Sequence, residues 1–308
     1  MKSNVFGPVP SRRLGFSLGI DVVPFKTCTL DCIYCQLGRT TVKTNQRKDF
    51  FSVKEILDEI KRNINSQKRI DYITFSGSGE PTLNSRIGQM IEEIKKITSL
   101  PVAVLTNGTL LYLPEVQEEL KKADLVIPSL DAADEDTFTR VNRPHPSLKI
   151  HEVISGMAEF SRNFKGKIWL EVMLVKGIND SPWHLQKLTE VIRKIKVEKI
   201  QLNTPVRPPA EDFVFPLDEE DLRKICSFFG KNCEVIAKIQ RKKQKAFQQN
   251  IEIMIHNMVK RRPVTIEDIA ISLGIHRNEV IKYIESLIER RLVSFRIYEG
   301  KRYYYSLT

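Results

Sequence analysis

Short apolar runs rich in β-branched residues alternate with amphipathic runs of helical period through most of the chain. This order is typical of strand–helix units repeated around a parallel sheet. Six such units are fewer than the eight that close a full barrel, so we expect an α/β fold, either a partial (βα)6 TIM-like barrel or a doubly wound sheet. The predicted strands cover residues 17–23, 71–76, 102–106, 125–129, 168–175 and 200–203.

The helices of these units provide the second layer of the predicted fold. They cover residues 53–64, 85–97, 114–122, 149–164, 183–195 and 218–229. Pro114 suits the first turn of its helix, because its missing N–H would have no partner there. In both folds the functional groups gather at the carboxyl ends of the strands. We therefore expect the active site to consist of side chains that directly follow strands.

The composition excludes several classes of protein. With 308 residues, of which 41% are apolar and 28% charged, the chain is expected to form one large or two smaller globular domains. No run approaches the roughly 18 consecutive apolar residues that span a bilayer, and the first 13 residues lack the apolar centre of a signal peptide. We therefore expect a cytoplasmic protein with no membrane partner.

The pattern changes near the C-terminus. Three amphipathic runs are followed by two β-rich runs on either side of Glu299, Gly300 and Lys301, which is the element order of a winged helix-turn-helix domain. The runs cover residues 251–260, 265–273, 277–291, 293–298 and 302–307. The predicted parts of the chain are a core at 1–237, a basic helical connector at 238–250 and the small winged-helix domain at 251–308.

The net charge of +11 is concentrated in this C-terminal part. Residues 241–308 hold 14 Lys and Arg against 7 Asp and Glu. Such an excess fits an anionic partner such as nucleic acid, although many basic surfaces are only solvated. We expect Arg277, Asn278 and Lys282 to be exposed on the second helix of the turn. The predicted nucleic-acid contacts are Arg277, Lys282, Lys301 and Arg302.

Three of the five cysteines lie in TCTLDCIYCQ, residues 27–36, directly after the first predicted strand. Their spacing, C-x3-C-x2-C, allows Cys28, Cys32 and Cys35 to bind one face of an iron–sulfur cube and leaves the fourth iron open. The alternatives are a structural zinc site completed by a His or a distant Cys, and cysteines that are merely buried. Cys226 and Cys233 are predicted to be core residues.

The cysteine segment, with Tyr34 immediately before its third cysteine, strongly resembles the radical S-adenosylmethionine (radical SAM) enzymes. The resemblance implies a 4Fe–4S cluster whose open iron binds the amino and carboxylate groups of S-adenosylmethionine. An electron from the cluster then breaks a sulfur–carbon bond, and a 5′-deoxyadenosyl radical abstracts a substrate hydrogen. The implied cofactors are the cluster and S-adenosylmethionine, and the implied partners include an external electron donor.

Further segments after strands agree with this resemblance. Residues 76–81, Ser-Gly-Ser-Gly-Glu-Pro, resemble the GGEP element that holds the methionine amino group. TNG at 106–108 and SLD at 129–131 resemble elements of the molybdopterin-biosynthesis branch, although both are also ordinary turn or cap sequences. The predicted cofactor contacts are Tyr34, Gly77, Ser78, Gly79, Glu80, Thr106, Asn107, Ser129, Asp131, Glu171 and Met173.

Charged residues in apolar or turn-rich surroundings are the remaining functional candidates. Glu171 lies in an otherwise apolar strand, so it either reaches a ligand inside the barrel or pairs with an interior Lys or Arg. Arg12, Arg13 and Arg143 are predicted to bind a carboxylate or phosphate of the substrate, because guanidinium groups bind both in bidentate geometry. The alternative for these arginines is a structural or solvated role.

From residue 6 to about residue 236 the chain resembles an uncharacterised group of iron–sulfur oxidoreductases related to the tRNA wyosine-base synthases. The similar segments are FGPVPSRRLG, KTCTLDCIYCQLGRT and RPPAEDFV. Those synthases use extra N-terminal cysteines for a second cluster, and no cysteine precedes Cys28 here. We expect a radical enzyme acting on tRNA or another nucleic acid. The alternatives are an enzyme that modifies a protein partner, as activating enzymes of glycyl-radical proteins do, and a cluster-sensing DNA-binding regulator.

Overall fold

The core of the fold is an eight-stranded, mostly parallel sheet, seen in a computed structural model that describes residues 4–65, 69–206, 209–237, 249–261, 263–298 and 300–307. Its strands are β1 (Val5–Ser11), β2 (Gly15–Ile20), β5 (Tyr72–Phe75), β6 (Val102–Thr106), β7 (Leu125–Pro128), β8 (Lys167–Met173), β9 (Lys199–Asn203) and β10 (Cys233–Val235), hydrogen-bonded in that order. Within this sheet, β2 and the six strands β5 to β10 are parallel, and β1 pairs antiparallel with β2 at one edge. Two short strands, β3 (Thr27–Cys28) and β4 (Val42–Lys43), pair with each other beside the cysteine segment.

Helices follow the strands and bury their apolar faces against the sheet. They are α1 (Val53–Ile64), α2 (Ile87–Ile97), α3 (Pro114–Leu120), α4 (Glu135–Asn142), α5 (Ile150–Asn163), α6 (Pro182–Ile192) and α7 (Glu219–Phe229). Side-chain caps begin several of them, for example Ser52 before α1 and Asp134 before α4. Ile56 and Ile60 of α1 lie one turn apart and are both buried, as expected for an amphipathic helix. No helix of the described residues is long and apolar enough to cross a membrane.

The six predicted strand–helix units are confirmed, because β2 and β5 to β9 match the six predicted strands and a predicted helix follows each. The structure adds β1, β10 and α4. Pro8 and Pro10 made β1 resemble a turn, but proline is tolerated in an edge strand, and β1 has an irregular register between Phe6 and Val9. Helix α4 was missed because its sequence, EDTFTRVN, is largely polar.

The C-terminal part has its own apolar cluster, which includes Ile255, Ile269, Val280, Leu287 and Tyr304. Its elements are α8 (Gln249–Arg261), α9 (Ile266–Leu273), α10 (Arg277–Glu289), β11 (Val293–Tyr298) and β12 (Lys301–Ser306). The order of three helices and a hairpin is as predicted, while the winged-helix class and the domain boundaries stay predictions. Residues 238–248 of the predicted connector lie outside the described residues.

Cys226 and Cys233 were predicted as separate core cysteines, and this is wrong. The structure joins them in a disulfide between α7 and β10, with their Cα atoms 5.5 Å apart. Helix α7 ends at Gly230, whose φ of 101° lets the chain reverse, so Cys233 at the start of β10 returns to the side of Cys226. Both cysteines pack at the margin of the main apolar core.

Helix α10 packs against the edge strand β1 and thereby joins the C-terminal part to the sheet. The predicted exposure of its first turns is wrong, because Asn278 is buried and Arg277 and Lys282 are half-buried. The ring of His276, the residue before α10, stacks on Phe6 with centroids 4.5 Å apart. The guanidinium of Arg277 lies 3.8 Å from the ring centroid of Phe25. These contacts turn the start of α10 towards the sheet instead of towards solvent.

Candidate iron–sulfur and cofactor site

The main cavity lies where the predicted motifs meet, at the carboxyl ends of the parallel strands. Its volume is about 330 Å³, within the range of small-molecule sites. The predicted site residues that line it are Arg12, Arg13, Cys28, Tyr34, Gly77, Gly79, Glu80, Thr106, Asn107, Ser129, Asp131, Glu171 and Lys282. A neighbouring cavity of about 300 Å³ is lined by all three predicted cluster cysteines and by Ser78 and Met173. The fold therefore brings nearly all of the predicted cofactor residues together.

Each of the three cysteine sulfurs has a nitrogen donor from a different part of the chain. Asn107 Nδ2 lies 3.5 Å from Cys28 Sγ, and Asn142 Nδ2 lies 3.4 Å from Cys32 Sγ. Lys26 Nζ lies 3.6 Å from Cys35 Sγ. All three cysteines are free thiols and only partly buried. Hydrogen bonds to sulfur are a recognised means of adjusting iron–sulfur clusters, so this donor set fits a cluster with three cysteine ligands.

Within the described part of the chain, no group of three or more His, Cys, Asp or Glu side chains is placed to hold a single metal ion. A 4Fe–4S cube places no such demand, because each cysteine binds a different iron.

Burial makes the thiols of Cys28 and Cys32 poor ligands until a metal displaces their protons. It raises the pKa of Cys28 to about 12, with a further increase from the Glu80 carboxylate, and it raises the pKa of Cys32 well above its ordinary value. The hydrogen bond from Asn142 acts in the opposite direction on Cys32. Cluster assembly must therefore release protons from these residues.

The Ser-Gly-Ser-Gly-Glu-Pro loop passes so close to the cysteine segment that two of its positions have no room for a side chain. A Cβ at Gly79 would lie 1.9 Å from the carbonyl oxygen of Thr27, and one at Gly77 would lie 2.8 Å from Asp21. Gly77 also has a φ of 134°, which L side chains rarely adopt. Asp21 fixes the loop, because its Oδ1 accepts a hydrogen bond of 3.1 Å from the backbone N–H of Ser78. The glycines therefore form a narrow backbone cradle beside the cluster cysteines.

Glu80 ties this loop to the segment after β6. Its Oε1 accepts hydrogen bonds from Thr82 Oγ1 at 2.7 Å and Thr106 Oγ1 at 2.6 Å, and its Oε2 accepts one from the Asn107 backbone N–H at 2.7 Å. Burial raises the pKa of Glu80, while these donors lower it. Oε2 has only the one described donor and can accept another, so Glu80 can still receive an ammonium hydrogen as predicted.

Asp131 is the centre of a second buried network. Its carboxylate accepts hydrogen bonds from Tyr34 Oη, from Asn142 Nδ2 at 2.8 Å and from the backbone N–H of Met173 at 2.9 Å. Burial raises the pKa of Asp131 to about 6, against the effect of these donors. Ser129 continues the line of β7 and forms a parallel bridge with Glu171. Tyr34 and Asp131, predicted as separate cofactor contacts, thus act as one unit.

Glu171 takes the second of its two predicted roles, an ion pair with an interior arginine. Its Oε2 lies 2.7 Å from Arg13 Nη1, and its Oε1 accepts a hydrogen bond of 2.7 Å from Asn203 Nδ2. Burial raises the pKa of Glu171, but Arg13 and Asn203 together lower it by a larger amount. The pKa of Glu171 therefore lies below its ordinary value. Arg13 thereby anchors the turn between β1 and β2 across the sheet, and Arg12 lines the cavity beside it.

Arg143 lies outside both cavities, which does not agree with its predicted substrate role. It ends α4 in the left-handed conformation, with a φ of 45°. Its Nη1 lies 2.5 Å from Glu211 Oε1, and Arg39 pairs with the same carboxylate at 2.9 Å. Arg143 Nη1 also lies 4.0 Å from Oδ2 of Asp31 in the cysteine segment. The cluster thus joins that segment to residue 211, and the position favours the structural alternative.

The four predicted nucleic-acid residues occupy different environments. Arg277 pairs with Glu267, and Lys282 lines the main cavity. Lys301 is exposed. Arg302 is half-buried, and its guanidinium lies 5.2 Å from the centroid of the Phe295 ring. Burial lowers the pKa of Arg302, whereas Tyr304, Asp212 and Cys35 raise it. Of these four residues, only Lys301 is exposed enough to contact a large partner.

The segment that contains the cysteines and the glycine cradle can be assigned to a family. Residues 22–213 match the family described as the Radical SAM superfamily. The chain belongs to the radical SAM superfamily. It is therefore an enzyme of the radical SAM class, and its cofactors are a 4Fe–4S cluster and S-adenosylmethionine, which the cysteine donor set and the glycine cradle fit.

Relatives support this assignment at different levels. A UPF0026 protein of Methanocaldococcus jannaschii is 35% identical over 302 residues, which cover 96% of this chain and 91% of the relative. A GTPase Obg of Brachyspira hyodysenteriae is 42% identical over 299 residues, but the chain spans only 44% of its length. A radical SAM methyltransferase of Sphaerobacter thermophilus has the same fold, with a TM-score of 0.55 at 18% identity, covering 73% of this chain and 67% of that one. The predicted partial TIM-like fold is therefore confirmed for the radical SAM core.

Three residues of the site were not predicted from the sequence. Lys26 directly precedes the cysteine segment, and its charge beside three cysteines was a usable signal. Asn142 was less visible, because it ends a polar helix that the hydrophobic pattern does not indicate. Asn278 was identified only as an exposed position of α10, yet it lines the main cavity. Its place depends on how the C-terminal part packs on β1, which no local pattern encodes.

Proposed function

We propose that this radical SAM enzyme abstracts a hydrogen atom from a substrate held in the main cavity, between the cluster cysteines and α10. The supporting observation is that one cavity is lined by Cys28 and Glu80 of the predicted cofactor site and also by Arg12, Asn278 and Lys282. When bound, the cluster and S-adenosylmethionine would supply the chemistry, which is transfer of one electron from an external donor and radical abstraction of one hydrogen atom.

The protein's own residues hold and orient these groups. Cys28, Cys32 and Cys35 bind three irons, and their nitrogen donors stabilise the sulfur charge. Glu80 holds Thr106 and the Asn107 backbone in place beside the glycine cradle, where it can receive the methionine ammonium. Asp131 and Tyr34 also line the cavity and are joined by a hydrogen bond. The Arg13–Glu171 pair fixes the β1–β2 turn, whose Arg12 lines the same cavity.

The test is reductive cleavage of S-adenosylmethionine by anaerobically reconstituted protein. We expect release of 5′-deoxyadenosine from the wild type and none from a variant with Cys28, Cys32 and Cys35 all changed to Ala. The matched control changes Cys226 and Cys233 to Ala, which removes two cysteines but leaves the donor set intact, so it should retain the product. Product formation by the triple variant would contradict the proposal.

Nucleic acid is a second candidate substrate, favoured by the hairpin β11–β12. Arg296, Tyr298 and Lys301 are exposed there, and basic residues beside an aromatic ring suit phosphate contacts and base stacking. Binding of total tRNA should weaken steeply between 50 and 200 mM salt if these contacts are used. Arg296→Ala with Lys301→Ala should reduce that salt dependence. Salt-insensitive binding, or none, would leave a protein or a small molecule as the substrate.

A further inference from the structure

Helix α10 provides one wall of the radical SAM cavity. Asn278, Ile281 and Lys282 line the cavity together with Arg12 of the β1–β2 turn. Cys28 of the cysteine segment lines the same space. A molecule positioned for reaction there would contact the C-terminal part of the chain as well as the sheet.

The position of α10 is fixed by contacts that lead directly to the cofactor loop. His276 Nε2 lies 3.3 Å from Asp21 Oδ2, and the His276 ring stacks on Phe6. Asp21 also accepts the hydrogen bond from the backbone N–H of Ser78 in the glycine cradle. One carboxylate therefore sets the position of the cradle and of the start of α10. Asn278, two residues after His276, is therefore held at a fixed position relative to the glycine cradle.

The side chain of Asn278 lacks the hydrogen bonds that a buried amide requires. The residue is only 8% exposed, and neither its Oδ1 nor its Nδ2 has a hydrogen-bond partner among the described residues. Buried polar groups without partners are rare and destabilising, so each calls for an explanation. Asn278 lines the cavity, so a rotation of its side chain would present the amide to a bound molecule, which can supply the missing partners. A carboxamide presents a donor beside an acceptor, and its ligand must present the complementary pair.

We propose that Asn278 binds the substrate of the radical reaction, a small molecule with a hydrogen-bond donor next to an acceptor, such as an amide or the edge of a nucleobase. The positive charges of Arg12 and Lys282 on the same wall favour an anionic group elsewhere on that molecule. A cavity of about 330 Å³ with α10 as a wall suits a free small molecule, because a folded RNA would require α10 to move. This role of Asn278 rests on the proposed hydrogen abstraction and specifies the class of molecule that loses the hydrogen atom.

The test uses deuterium transfer, which does not require the substrate to be known. Methanocaldococcus jannaschii, which has a relative 35% identical to this chain, is grown in deuterated water. Three probes are prepared from the cells: a deproteinised small-molecule extract, total RNA and total protein. Each is incubated anaerobically with the reconstituted full-length enzyme, S-adenosylmethionine and dithionite. Breaking a substrate C–D bond places the deuterium on C5′ of 5′-deoxyadenosine, where mass spectrometry detects it.

We expect the small-molecule extract alone to label 5′-deoxyadenosine with the wild type. Asn278→Leu should lower the labelled yield about tenfold or more, because the ligand loses two hydrogen bonds. Binding of S-adenosylmethionine by the variant is measured alongside, and its melting temperature should not fall, since Leu removes an unpartnered buried amide. Asn65→Leu, at the exposed end of α1, is the matched control and should behave as the wild type.

The outcomes separate this inference from the proposed function. Labelling by RNA or protein alone would overturn the small-molecule assignment but preserve hydrogen abstraction. Full labelling by Asn278→Leu would overturn the role of Asn278, as would weakened binding of S-adenosylmethionine, which would make the residue a cofactor contact. If the wild type produces 5′-deoxyadenosine that no probe labels, the proposed function fails as well.

Discussion

Asn142 connects Cys32 to Asp131: its Nδ2 lies 3.4 Å from the cysteine sulfur and 2.8 Å from Oδ2 of the carboxylate. The amide nitrogen carries two hydrogens, so it can donate to both acceptors at once. Tyr34 donates to the same carboxylate. A cysteine of the cluster is therefore coupled to the cavity wall through a single buried side chain, which is 3% exposed.

Removing this donor should make the cluster harder to reduce. A hydrogen bond to a thiolate ligand stabilises the reduced, more negative state of an iron–sulfur cluster. We expect Asn142→Leu to shift the reduction potential by about 60 mV in the negative direction, which corresponds to a tenfold change for a one-electron couple. The measurement is an anaerobic redox titration followed by electron paramagnetic resonance. Iron content is determined first, so that a lost cluster is not mistaken for a shifted one.

The control for this experiment is Asn65→Leu, an equivalent change at an exposed position at the end of α1. It should leave the potential unchanged. An unchanged or more positive potential in Asn142→Leu, at full iron content, would show that the contact with Cys32 does not stabilise the reduced cluster.

A methyl group at Gly79 should disrupt the glycine cradle. The new Cβ would lie 1.9 Å from the Thr27 carbonyl oxygen, which belongs to backbone and cannot move aside without shifting the cysteine segment. We expect Gly79→Ala to lower the free energy of unfolding by about 3 kcal/mol, the upper end for overpacked sites, and to reduce cluster loading. Urea denaturation measures the first effect and iron content the second.

Gly177→Ala is the matched control, because Gly177 has a φ of 72° but no atom within 4 Å of the position that a Cβ would occupy. Gly177→Ala should lower the free energy of unfolding by about 1 kcal/mol, which is the cost of the backbone strain alone. Effects of equal size at both positions would show that the cradle accommodates a methyl group at residue 79 without displacing the Thr27 carbonyl.

The sequence was most informative where local pattern and burial coincide. The strands β5 to β7 are mostly apolar and lie in the middle of a parallel sheet, so their sequences alone identify them. β1 could not be recognised, because Gly7, Pro8 and Pro10 are turn residues, and only the edge position of the strand makes them acceptable. The disulfide was missed because the two cysteines lie seven positions apart in the sequence and their approach depends on the turn at Gly230.

The site was predictable to the extent that its chemistry lies in consecutive residues. Cys28, Cys32 and Cys35 form such a segment, whereas the donors Asn107 and Asn142 come from other elements and reach the sulfurs only through the fold. Arg143 shows the converse error, because an arginine in a turn was expected to bind substrate but pairs with Glu211. The role of such a side chain depends on which residues from distant segments contact it. A single sequence does not reveal those contacts.

The disulfide should stabilise the fold only under oxidising conditions. Closing a loop with a separation of seven residues removes unfolded-state entropy worth about 2 kcal/mol. We expect Cys226→Ser with Cys233→Ser to lower the free energy of unfolding by about that amount without reductant, and to equal the wild type in excess dithiothreitol. Iron content should be the same in both proteins. A difference that persists in dithiothreitol would assign the effect to packing of the sulfurs.

Glu171 should stabilise the fold through its charge. Replacing it by Gln leaves the guanidinium of Arg13 without its carboxylate at a site where both side chains are 13% exposed. Removing one partner of a buried pair typically costs about 3 kcal/mol. The control is Glu234→Gln. Glu234 pairs with Lys199 at 3.4 Å, and both side chains are more exposed than those of Arg13 and Glu171. This change should lower the free energy of unfolding by less than about 1 kcal/mol. Urea denaturation of the cluster-free proteins measures both.

The same variant gives a specific dependence on pH. Burial raises the pKa of Glu171, but Arg13 and Asn203 together hold it below its ordinary value of 4.5. A carboxyl group whose pKa is lower in the folded state stabilises the protein above the unfolded-state pKa and loses that contribution as the pH falls through the folded-state value. The difference in unfolding free energy between wild type and Glu171→Gln should therefore be constant above about pH 5 and shrink progressively below pH 4.5. A difference that is independent of pH down to pH 3 would show that Glu171 acts through its shape and hydrogen bonds rather than its charge.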